Sequence, residues 1–173
     1  MKDQGSQNLE RAAAPVYFLA FLFLALPLMD YILNVWPLQV DKVNWRYGAF
    51  GLAGGFLLTP LLGLVMLMVT ALWFEHRRAL LMTGIVSAIT ALGLALLSVS
   101  FVLDSLQMRS GVPEGQTGIF DAGALKALVK DVTGILSAGW VALGSFRGRA
   151  GVGSTNRRGA TAPLVVGSRP EKA

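Results

Sequence analysis

Three stretches without a charged side chain govern what this chain can become: residues 12–29, 47–74 and 79–103, of 18, 28 and 25 residues. A helix rises about 1.5 Å per residue and the hydrocarbon of a bilayer is about 30 Å thick, so roughly 20 apolar residues are needed to cross it. The second and third stretches cross with some tilt. The first continues past Asp30 through Tyr31, Ile32, Leu33 and Val35 to Trp36 and gains the same length. Lys2 and Arg11 ahead of an apolar core also fit a cleaved signal peptide. The core is longer than the usual 7 to 15 residues, and no small-x-small cleavage site precedes the polar loop, so an uncleaved anchor is expected.

Only Glu75-His76-Arg77-Arg78 separates the second stretch from the third, which forces an antiparallel hairpin. A fourth apolar run, 132–146, has 15 residues. It becomes long enough if its helix begins near Ala122, with Asp121 as N-cap and Lys126, Lys130 and Asp131 in the first turns, the lysine stems snorkelling to the interface. An interfacial or re-entrant helix is the alternative for this segment. The expected fold is all-α: an integral membrane bundle of four transmembrane helices over about 12–36, 47–74, 79–103 and 122–146. It is preceded by a cytoplasmic segment 1–11 and followed by a disordered basic cytoplasmic tail 147–173.

Composition agrees, with 54% hydrophobic and 14% charged residues where a soluble domain carries about a quarter charged. Residues 147–173 hold Arg147, Arg149, Arg157, Arg158, Arg169 and Lys172 against Glu171, and so account for the net charge of +5. With the N-terminus inside, ten basic residues fall on the cytoplasmic side, Arg77, Arg78, Arg147 and Arg149 as topology anchors among them. Five fall outside: Lys42, Arg46, Arg109, Lys126 and Lys130. Tyr31, Trp36, Trp45 and Tyr47 then mark the outer interface, and Trp73, Phe74 and Phe146 the inner one. This topology is that of a multi-pass protein of a plasma membrane.

Small residues recur at four-residue spacing in three of the expected helices: Gly51, Gly55, Thr59 and Gly63; Thr83, Ser87, Ala91 and Ala95; Gly134, Ala138 and Ala142. In lipid, helices associate through close backbone approach, so these stripes are the expected packing faces, within the chain or onto a partner. Pro27 and Pro60 each remove a helix hydrogen bond and predict kinks in the first and second helices.

Chemistry has little to work with. There is no cysteine and one histidine, His76, read as a solvated loop residue, which excludes thiolate and multi-histidine metal sites supplied by this chain alone. Ser87, Ser98 and Ser100 have no histidine in their span, and Asp30, Asp104 and Asp131 belong to different helix ends, all on the outer side. No enzyme activity, catalytic residue, metal or cofactor is expected. Nor is nucleic-acid binding, since the basic tail has no aromatic residue to stack on bases.

The segment Trp36-Pro37-Leu38-Gln39-Val40 to Trp45-Arg46-Tyr47-Gly48, followed by Thr59-Pro60-Leu61-Leu62-Gly63-Leu64, resembles small bacterial membrane proteins grouped as HpsJ-like, named for hormogonium polysaccharide secretion. The resemblance covers the first two helices and implies an accessory membrane protein associated with exported polysaccharide, with no catalytic residue carried over. The expected function is a non-enzymatic membrane subunit or accessory protein in contact with the lipid bilayer and with another membrane protein or itself. A small oligomeric transporter or channel is the alternative.

Overall fold

A computed structural model describes the backbone of residues 4–159 and the side chains of residues 13–152. The described residues form helices α1 (Gln4–Val35), α2 (Val43–Phe56), α3 (Leu58–Trp73), α4 (Arg77–Arg109) and α5 (Thr117–Gly159), with one 3-10 turn at Glu114–Gln116. Helices α1, α4 and α5 are each long and apolar enough to cross a membrane. The bent pair α2–α3 makes a fourth crossing if it counts as one span.

The second expected helix is divided. Pro60 has no N–H to give the carbonyl of Phe56, four residues back, and its ring crowds that carbonyl. The helix breaks at Leu57, and α2 and α3 meet at 47°. Helix α1 is unbroken through Pro15 and Pro27.

Helix α3 stops in a Schellman turn: the Glu75 N–H donates to the Leu72 carbonyl (3.2 Å) and the His76 N–H to the Ala71 carbonyl (2.9 Å). This turn needs a left-handed residue, and Glu75 supplies it at φ 55°, where glycine would carry no Cβ penalty. The chain therefore reverses within three residues and α4 starts at Arg77.

The last helix departs from expectation at both ends. It begins at Thr117, so Asp121 is no N-cap; it lies inside α5, where its carboxylate accepts from Arg109 Nη2 at 2.9 Å. Both side chains are about half exposed, and such a pair contributes little to stability. At the other end the backbone is helical as far as Gly159, which corrects the expected disorder for residues 147–159. The rest of the expected tail, 160–173, lies outside the described residues.

Side chains are sorted inside out relative to a water-soluble bundle. Phe18, Leu26 and Leu33 on α1, Met82, Ile89 and Leu96 on α4, and Leu136 and Leu143 on α5 are exposed, while Ala20, Ala71, Ala138, Ser87 and Ser145 are fully buried. An apolar exterior this extensive suits a lipid surround, where small inward residues bring backbones together and dispersion contacts hold them. Leu64 and Met68 of α3 and Val141 of α5 form the buried centre, with Leu24 of α1 packed against them.

Gly63 lies so close to α1 that a Cβ there would be 2.9 Å from the Ala20 carbonyl oxygen. Helices α4 and α5 run antiparallel in close contact, with Phe146 over Gly84 and the Leu94 side chain over Gly134. The backbones of α1 and α4 do not approach closely, and the space between them is floored by the α2–α3 break.

Candidate functional site

The two buried carboxylates of the bundle, Asp104 and Asp131, lie toward the end where the loop from α1 to α2 meets the C-terminal part of α4. Arg46, in the first turn of α2, donates from Nε (2.9 Å) and Nη2 (2.6 Å) to the two carboxylate oxygens of Asp104, and from Nη1 to the Val40 carbonyl (2.9 Å). Asp104 is 4% exposed. A carboxylate held there needs its cation, and the bidentate fork satisfies both oxygens at once. Tyr47 stacks between Phe101 and Phe120, and Phe50 stacks on Phe101 at 4.1 Å, so an aromatic wall shields the pair on one side.

Deeper along α4, Ser98 Oγ donates to the carboxylate of Asp131 on α5, which is 2% exposed. This joins α4 and α5, and it places Asp131 inside the helix pair rather than at an interfacial first turn. Its neighbour Lys130 lays its stem beside Gly54 of α2, close enough that a Cβ on Gly54 would meet Lys130 Cδ at 3.5 Å.

The aspartates do not converge. Asp30 is exposed and accepts from Asn34 Nδ2 at 3.1 Å, while Tyr31 gives its hydroxyl to the Ala49 carbonyl at 3.2 Å. Among the described residues no three of His, Cys, Asp and Glu come together as a metal-holding group. His76 is exposed; its Nδ1 lies 3.0 Å from the Tyr17 hydroxyl and its ring stacks on Tyr17 and Phe74.

Two cavities adjoin this region and share Tyr31 and Leu97. One, of about 270 Å³, lies under the Arg46–Asp104 pair and is also lined by Trp45 and Ser100. The other, of about 230 Å³, continues between α1 and α4 past Leu28, Gly93 and Leu94 down to Phe56, Leu57 and Pro60 at the helix break. Together they pass from a polar mouth to an apolar floor.

The small-residue stripes divide. Gly63 is in contact with α1, and Gly134 sits between Leu57 and Leu94, where a Cβ would be 3.3 Å from each side chain. Ala138, Ala142 and Ser87 are buried; Thr59, Ala91 and Ala95 are half-buried. The hydroxyls of Ser87 and Ser145 have no hydrogen-bond partner among the described residues. Gly51 and Gly55 face open space together with Gly48, and a Cβ on any of the three would meet nothing within 4 Å. Among the described residues nothing packs against those positions. Arg77 and Arg78 are exposed at the start of α4. Arg147 and Arg149 are exposed on α5 at the same end of the bundle, where Gly148 lies against Leu72 and Leu80.

Sequence reasoning missed the Arg46–Asp104 and Ser98–Asp131 pairs. A signal for the first was present, since the expected topology already put an unpaired base and an unpaired acid at the same outer end. For the second there was none, because a serine and an aspartate 33 positions apart become neighbours only through the register of α4 on α5.

No family model, no curated protein and no solved structure matches this chain.

Proposed function

We propose that the chain is a non-enzymatic integral membrane subunit or accessory protein of a bacterial inner membrane, both termini cytoplasmic, that docks against another membrane protein. The observation that carries this reading is the open face of α2. Gly48, Gly51 and Gly55 recur along one side of the helix, and among the described residues no other part of the bundle comes within 4 Å of where their side chains would begin, while Leu52 beside them is exposed. A second helix can approach such a face to backbone contact. The link to exported polysaccharide rests on the resemblance of residues 36–64 to the HpsJ-like proteins.

The test is extraction in mild detergent followed by size analysis, for the native chain and for Gly55→Leu. The accessory reading expects a stoichiometric complex with a second membrane protein that Gly55→Leu dissolves. A homogeneous homo-oligomer without partners, indifferent to that substitution, would refute it. The bend at Leu57 beside a cavity favours a second reading, a small oligomeric transporter, because broken helices line substrate paths in such proteins. A homo-oligomer is the outcome expected of it.

A further inference from the structure

The two cavities that share the lining residues Tyr31 and Leu97 adjoin along α4 as a two-part cleft, the one between α1 and α4 and the other between α2 and α4. Its deep part is walled by Leu28 and Leu94 and floored by Phe56, Leu57 and Pro60. The polar residue there, Thr90, turns its hydroxyl back to the Val86 carbonyl at 2.9 Å, so it offers no donor to a ligand. Combined, the cavities occupy about 500 Å³, within the roughly 300–1,000 Å³ of small-molecule sites.

We infer that this cleft binds one acyl chain of a membrane phospholipid, with its polar head at the mouth beside Arg46 and Asp104. Three features fix the class of ligand. The walls at depth are apolar, so the buried part is hydrocarbon. The cleft lies between two helices each apolar enough to cross a membrane, so the ligand enters sideways from the bilayer rather than from water. At the mouth the Arg46 charge is already matched by Asp104, so the head is net neutral, as in phosphatidylethanolamine, and not an anion seeking an unpaired cation.

Gly93 lines the deep part, and a Cβ there would meet nothing within 4 Å. A side chain at this position therefore begins in open space beside the cleft. The inference rests on membrane placement and is independent of any partner.

The experiment uses the full chain in phosphatidylethanolamine vesicles containing a trace of the same lipid with a photoreactive carbene precursor midway along one chain. Adducts are mapped by mass spectrometry. Leu94 is 7% exposed and borders the cleft, whereas Leu92 and Leu96 are each 63% exposed on the outside of the same helix. Adducts at Leu94 and Leu61 are expected in the native chain beside those at Leu92 and Leu96, all rising with the probe fraction. Gly93→Leu should abolish the adducts at Leu94 and Leu61 and leave the outer ones and the helical circular dichroism unchanged. Adducts confined to Leu92 and Leu96 in the native chain, or cleft adducts that persist in Gly93→Leu, would overturn the cleft and leave membrane placement standing. Loss of adducts at all four positions would overturn both.

Discussion

At Gly63 and Gly55 the same residue type, on the same four-residue repeat, meets two different surroundings. A Cβ on Gly63 would come within 2.9 Å of the Ala20 carbonyl oxygen and 3.1 Å of the Leu24 amide nitrogen, both backbone atoms that move only if α1 moves. A Cβ on Gly55 meets nothing. Gly63→Ala should therefore destabilise the isolated chain by about 1–3 kcal/mol, the usual cost of overpacking, while Gly55→Ala should change it by less than about 0.5 kcal/mol. Unfolding of the two variants in mixed micelles by increasing denaturing detergent measures the difference, and equal midpoints would refute the assignment of Gly63 to the α1 contact. Spacing in the sequence marks which residues are small enough for contact. It does not mark which contact is made, because each four-residue step turns about 40° around a helix of 3.6 residues per turn, so the stripe drifts by roughly 120° from Gly51 to Gly63.

Helices were legible from the sequence because a run of Leu, Ala, Met and Val without charge leaves backbone groups no partner but one another. Their ends were less so. The reversal at Glu75 follows from four charged or polar residues between two apolar runs, whereas α5 outruns its expected bounds because Ala, Gly and Arg beyond Phe146 carry no stop signal as sharp as a proline. Pro60 was read as a kink and lies three residues past the break. Pro60→Ala restores an N–H for the Phe56 carbonyl and removes the ring that crowds it, so α2 and α3 should straighten toward one helix. With spin labels at the exposed positions Asn44 and Val69, closing the 47° bend lengthens their separation by about 3 Å, taking 1.5 Å per residue along each arm. An unchanged distance would show that packing of Leu57 against Gly134, rather than the proline, sets the bend.

The molecule as a whole has two unlike ends. At one, the start of α4 with Arg77 and Arg78 lies beside the stretch of α5 that carries Arg147 and Arg149, and Tyr17 near the start of α1 reaches His76. At the other, two of the basic side chains are matched by acids: Arg46 is held by Asp104 and Arg109 by Asp121. Orientation follows the arginines and lysines themselves, in the short loops and near the helix ends, whether or not acids pair them. Reporter fusions after Arg78 and after Arg149 should read cytoplasmic, and a fusion near Gly115, in the turn between α4 and α5, should read external. Helix α5 is the decisive element, because Lys126, Lys130 and Asp131 lie in the half that this topology puts outside and its uncharged run, 132–146, is the shortest of the four. An external reading after Arg149 would mean that α5 does not cross and that Asp131, bonded to Ser98, holds it against α4 on the outer side. A cytoplasmic reading there, with Gly115 external, makes the Ser98–Asp131 bond a contact within the membrane between two spanning helices.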